Sequence, residues 1–180
     1  MEIDSLMPQW HYREQQRIAI NQPTSEVMNA VRNLTWGEVP LFRLLVLNRF
    51  GPKFKKLESG GRILDTLTED APFRILAQTP DELVFGVILS RTRRPAPLNP
   101  TATEFQQFAQ AGTWKELATF YYVEGQLVTE SRVIANDTVN KRLFGMYWKM
   151  IVFPSGLIRI AWLKAIRKHC LSAAGSQPIN

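Results

Sequence analysis

Cysteine is almost absent from this 180-residue chain: Cys170 is the only one. A single thiol excludes an intrachain disulfide, and no CxxC or Cys/His cluster points to zinc. Histidine, the usual acid–base residue, occurs twice, as His11 and His169, and neither has a carboxylate or cysteine at a recognisable catalytic spacing. Cys170 follows His169 directly, but neighbours on a helix point about 100° apart, so the two form no nucleophile pair. No GxSxG, HExxH, P-loop or GxGxxG motif occurs, and no cofactor is implied. A long uncharged apolar run is missing too. The longest candidate, Phe144 to Leu163, contains Lys149, Pro154 and Arg159 and is a poor spanning segment. The acidic start Met1-Glu-Ile-Asp-Ser-Leu6 lacks the basic-then-apolar order of a signal peptide, so a cytoplasmic protein is expected.

Acidic residues are absent from one whole segment. From Thr138 to the end the chain carries Lys141, Arg142, Lys149, Arg159, Lys164, Arg167 and Lys168, with no Asp or Glu. The net charge of +6 therefore belongs to the C-terminal segment, the rest being close to neutral. Such asymmetry fits the solvated face of a helix or contact with an anionic membrane surface. Nucleic acid is set aside, because no helix-turn-helix, RNP-like or zinc-finger pattern accompanies the charge.

What is present is an ordinary globular composition, 45% hydrophobic and 21% charged, which excludes disorder and fibrous classes. One domain over residues 9–172 is expected, with flexible ends at 1–8 and 173–180. Gln9–Ile20 alternates as a strand, with Trp10, Tyr12, Ile18 and Ile20 on one side. Pro23 opens a turn, Thr24 or Ser25 can cap a helix, and Val27, Ala30, Val31 and Leu34 give that helix its stripe. A second helical run, Leu41–Phe50, stops at Gly51-Pro52 before Lys53, Lys55 and Lys56. Phe73–Gln78 and Leu83–Ser90 are strands joined by a turn at Thr79–Glu82. Arg91–Pro100 is a proline-rich loop whose arginines, with Phe105 and Phe108, are expected to border an opening.

The clearest hairpin is Trp114–Val123 with Gln126–Ala135, turning at Glu124-Gly125. A two-residue turn pairs Tyr122 with Leu127, Phe120 with Thr129, Ala118 with Ser131 and Glu116 with Val133. The other face pairs Tyr121 with Val128, Thr119 with Glu130 and Leu117 with Arg132. Glu130 and Arg132, two apart on one face, read as a surface ion pair or as acid–base candidates with Glu116. Asp137 or Thr138 then caps a helix to about Phe153, with Val139, Leu143, Met146, Tyr147 and Met150 as its stripe. Pro154-Ser155-Gly156 is expected to break it. A second helix runs to about Leu171, with Ile158, Ala161, Trp162, Ala165, Ile166 and His169 on one face and Lys164, Arg167 and Lys168 on another. Strands segregated from a terminal helix predict an α+β domain.

Leu127-Val-Thr-Glu-Ser-Arg-Val-Ile-Ala-Asn-Asp137, Lys141–Trp148, Phe153–Arg159 and Leu163–Lys168 carry a family resemblance. They look like the last strand and C-terminal helix of uncharacterised bacterial proteins of the START-like, or SRPBCC, superfamily. That group lies near the polyketide cyclase/dehydrase and lipid-transport families. The resemblance covers roughly residues 10–171 and is most specific over 112–168. It implies a helix-grip (birch-pollen-allergen-like) fold, in which a curved antiparallel sheet wraps the C-terminal helix around an apolar cavity. It further implies binding of a lipid, polyketide or aromatic metabolite, with Phe85, Phe120, Tyr122, Thr129, Ser131, Tyr147, Ile158 and Trp162 as the lining residues. On pattern alone the aromatics would simply fill a core. A cyclase- or dehydratase-like enzyme using Glu116, Glu130, Arg132 or Tyr147 is the alternative, and a basic helix contacting an anionic membrane a third.

Overall fold

The computed structural model describes residues 1–40, 42–44, 58–69, 72–91 and 99–174. In chain order these form α1 (Glu2–Leu6), β1 (Tyr12–Ala19), α2 (Thr24–Asn33), a 3-10 turn (Trp36–Glu38) and α3 (Ile63–Glu69). Then follow β2 (Arg74–Gln78), β3 (Glu82–Ser90), α4 (Ala102–Gln107), β4 (Thr113–Val123), β5 (Gln126–Ala135) and α5 (Thr138–Ala174). The five strands make one curved antiparallel sheet in the order β1-β5-β4-β3-β2. The class is α+β, as the sequence predicts. The helix expected over Leu41–Phe50, Lys53, Lys55, Lys56 and most of the Arg91–Pro100 loop lie outside the described residues.

The β4–β5 hairpin has the register that its turn dictates. Glu124 and Gly125 both take positive φ, and every cross-strand pair read from the sequence is present. Strand β1 pairs with β5, so that Tyr12, Glu14 and Gln16 share a face with Val133, Ser131 and Thr129. Both faces of the sheet are covered. β3 accordingly reads as a nearly continuous apolar run and is buried along most of its length.

The concave face packs on α2 and α5. Leu83, Phe85, Phe120 and Leu127 meet Val27, Met28 and Val31 of α2 and Trp162, Leu163, Ile166 and Cys170 of α5. The cap expected from Thr24 or Ser25 is replaced by Pro23, whose carbonyl accepts from the N–H groups of Glu26 and Val27. The convex face packs on α1 and α4, where Ile3, Leu6, Met7 and Phe105 cover Val84, Ile88 and Leu117. Phe105, expected at an opening, is thus core.

Residues 1–8, placed outside the domain as a flexible end on the sequence reading, include α1, which is tied to the sheet at both ends. Glu82 accepts from the N–H groups of Glu2 (2.7 Å) and Ile3 (3.2 Å) at the start of α1. Arg132 donates to the carbonyls of Met7 (2.9 Å) and Ile3 (3.4 Å) at its end. A five-residue helix is too short to hold by itself, and these two buried ionic side chains anchor both ends.

The C-terminal helix also departs from expectation. Pro154 does not break it: α5 is continuous for 37 residues. Proline removes only one N–H donor, and packing on β1 and β5 holds the turns on either side. Two glycines permit the approach. A Cβ at Gly145 would lie 2.5 Å from the Tyr12 hydroxyl, which donates to the Lys141 carbonyl at 2.6 Å. A Cβ at Gly156 would lie 2.9 Å from Oε1 of Glu14. The stripe of Val139, Leu143, Met146, Tyr147 and Met150 turns largely outward: all but the half-buried Tyr147 are exposed.

Candidate functional site

Two arginine–carboxylate clusters lie on opposite faces of β5. On the convex face, Glu130 accepts from Arg132 Nε (2.6 Å), Arg13 Nε (2.8 Å) and Gln15 Nε2 (3.0 Å). The remaining Arg132 nitrogens reach Asp4 and the α1 carbonyls, and Trp10 stacks over the guanidinium at 4.2 Å. Glu130 and Arg132 are 0% and 2% exposed, so the surface ion pair expected from their spacing is buried. The reason is α1, which covers them.

On the concave face, the period of two along β1 and β5 brings Glu14, Thr129 and Ser131 together under α5. Arg159 descends from the helix and donates to Thr129 Oγ1 (3.0 Å) and to Ser131 Oγ. Its Nε lies 3.5 Å from Glu14 Oε2, which also accepts from Ser155 Oγ at 2.8 Å. Gly156 makes room for that carboxylate against the helix. The Arg159 side chain is 16% exposed. Burial pulls its pKa down, and Glu14 and Glu116 act against that shift. Among the described residues, Arg159 Nε and Trp162 Nε1 are buried donors that find no hydrogen-bond partner.

At the start of α5 there is a pocket of about 270 Å³. Trp114, Leu143, Phe144 and Tyr147 supply apolar and aromatic walls, and Arg91, Glu116 and Asn140 supply polar groups. Asp137 fixes the first turn of α5 by accepting from the Asn140 N–H and side-chain amide, both at 2.8 Å. Asn140 in turn accepts from Arg91 Nε at 3.1 Å. Trp114 Nε1 donates to Glu116 Oε1 at 3.2 Å. Glu116 lies two residues from Ala118, the cross-strand partner of Ser131, so the pocket wall and the Arg159 cluster share the concave face of the sheet.

A wider groove of about 520 Å³ follows the far half of α5, lined by Ile18, Lys164, Arg167, Lys168, Leu171 and Ser172.

The residues singled out from the sequence go to different places. Phe85, Phe120 and Trp162 pack in series, with ring centroids 6.4 Å and 4.9 Å apart, in the concave core. The Tyr122 hydroxyl donates to the carbonyls of Ile20 (2.5 Å) and Gln22 (2.9 Å). Thr129 and Ser131 hold Arg159, Ile158 is half-buried, and Tyr147 lines the pocket with Glu116. His169 meets Glu38 at 3.0 Å. Burial raises the Glu38 pKa, but bonds from His169 and Thr35 outweigh it and leave that carboxyl low. Cys170 is buried, which pushes its thiol up and keeps it unreactive.

The sequence does not point to Glu14, Trp114, Asn140 or Arg159 as site residues, whereas Arg91, expected to border an opening, lines the pocket. One signal is available: Glu14 shares its alternation with Trp10, Tyr12, Ile18 and Ile20, and is the one charged residue on that side.

Among the described residues no group of His, Cys, Asp and Glu could hold a metal, and no helix is long and apolar enough to cross a membrane. No family model, curated protein or solved structure matches the chain.

Proposed function

We propose that this protein is a START-like, helix-grip binding protein for a small aromatic or alicyclic molecule, held between the sheet and α5. The observation that carries this reading is the pocket lined by Trp114, Phe144, Tyr147 and Glu116, with apolar walls and polar groups set around them. Ligand sites combine such walls with a few convergent polar groups. Its volume, about 270 Å³, lies just below the roughly 300–1,000 Å³ of typical ligand sites. That size favours a ring-sized metabolite over a whole lipid. Glu116 favours a ligand that donates a hydrogen bond, through a hydroxyl or an amine, and Arg91 offers a donor to an oxygen.

The test is native mass spectrometry of the full chain against a panel of hydroxylated and amino-substituted aromatic compounds, with Tyr147→Ala alongside. At least one compound is expected to remain bound, and Tyr147→Ala to weaken it on the order of tenfold. Retention of none, or retention indifferent to Tyr147, defeats the reading.

A second reading, cyclase- or dehydratase-like proton transfer, is favoured by one observation: Glu116 and Tyr147 line the same pocket. It requires that a bound compound change on incubation, and that Glu116→Gln stop the change at saturating ligand.

A further inference from the structure

Val139, Leu143, Met146, Met150, Phe153 and Leu157 follow one another along α5 at alternating steps of four and three residues, and all six are exposed. At about 100° per residue they fall within an arc of about 80°. Met150 and Phe153 are the most open, at 76% and 75%. A monomer gains nothing by holding such a seam in water, and contiguous patches of this kind mark interaction surfaces. The surrounding charge is of one sign. Arg142 and Lys149 are exposed along one border of the seam, and Lys164 and Lys168 continue its line toward the C-terminus. Beside those two, Arg167 lines the basic groove of about 520 Å³.

We propose that this outer face of α5 docks on an anionic lipid bilayer, lying in the plane of the interface. The six apolar side chains would enter the headgroup–acyl boundary, while Arg142, Lys149, Lys164, Arg167 and Lys168 meet lipid phosphates. Charge decides between occupants. Two copies joined along this seam would bring Arg142 and Lys149 of each against a helix that has no acidic residue to receive them. A bilayer rich in anionic headgroups complements the apolar seam and the cations together. Leu143 belongs both to the seam and to the pocket wall, so the pocket lies next to the docked face. The docking does not depend on what that pocket holds.

The experiment is co-sedimentation of the full chain with phosphatidylcholine vesicles and with vesicles containing phosphatidylglycerol. It is run at low and high salt, with sedimentation velocity in parallel. The wild type is expected to bind the anionic vesicles, to bind neutral ones at least about tenfold less, and to release in high salt. Because the substituted residues are exposed, Met150→Ser with Phe153→Ser keeps the fold, verified by circular dichroism. That variant is expected to lose on the order of tenfold in partitioning. Arg142→Glu with Lys149→Glu is expected to lose as much and to abolish the preference for anionic lipid. Equal binding to neutral vesicles, no binding to either, or seam variants that bind as the wild type does would overturn the proposal. So would a dimer in sedimentation that Phe153→Ser disperses, since the seam would then cover a second copy.

Discussion

The two faces of β5 carry the same chemistry, an arginine between carboxylates, and finish it differently. On the convex side all three Arg132 nitrogens are engaged, Glu130 accepts from three side chains, and α1 closes the cluster off. On the concave side Arg159 bonds two hydroxyls through its terminal nitrogens, while Nε stands at ion-pair distance from Glu14 without a hydrogen bond. The pocket lies on the same face of the sheet, with Glu116 in its wall. A fully satisfied buried network fixes a structure; a partly satisfied one beside a cavity is where a ligand can complete the bonding. On the proposed reading, the convex cluster is architectural and the concave one serves binding.

The largest expected effect tests the architectural side. Arg132→Met leaves Glu130 buried with only Arg13 as its cation and releases the end of α1. Urea denaturation should show a loss of roughly 3–5 kcal/mol, with ligand affinity of the folded fraction unchanged. Arg159→Met should cost less stability, about 1–3 kcal/mol, because Ser155 still donates to Glu14. Affinity should nevertheless fall on the order of tenfold, which a paired titration would read. Gly156→Ala comes next, at about 1 kcal/mol. Its Cβ would press on the end of the Glu14 carboxylate rather than on backbone, so the side chain can yield. A thermal shift above that size would mean the helix cannot give at this point.

The smallest effect concerns Lys115 on the convex face. Its ammonium donates to the carbonyls of Phe105 (3.1 Å) and Gln106 (3.0 Å), and burial pulls its pKa down. In the window between that lowered value and the ordinary lysine value of about 10.4, the unfolded chain binds the extra proton. Stability from this group therefore rises with pH through that window and is lost again as pH falls. Lys115→Met should flatten the slope immediately below that upper bound, as followed by melting temperature. An unchanged slope would show that Lys115 is not its source.

How much of this was legible in the sequence depended on how local the determinant was. The β4–β5 register was readable because a two-residue turn fixes every pair that follows it. Which side of α5 faces the sheet was not. Its outward seam has the spacing of a core stripe, whereas the inward side in mid-helix is Ser155, Gly156 and Arg159, small or charged residues chosen by the contact with Glu14. Nothing within the helix announces that contact. Helix α1 was missed for the same reason: Glu82 and Arg132, which hold its ends, are remote in the chain. Of the site, the sequence points to Tyr147 and Glu116, but the pocket joining them depends on Arg91 and Asn140 meeting across the start of α5.

Ligand binding by Glu116→Gln and Glu130→Gln, measured side by side by native mass spectrometry and thermal denaturation, tests the division of labour most directly. The expected result is that Glu116→Gln melts close to the wild type and loses affinity on the order of tenfold. Glu130→Gln should melt well below the wild type and bind, where folded, with unchanged affinity. If Glu116→Gln binds as the wild type does while Glu130→Gln loses the ligand without loss of stability, the two faces have been assigned the wrong way round.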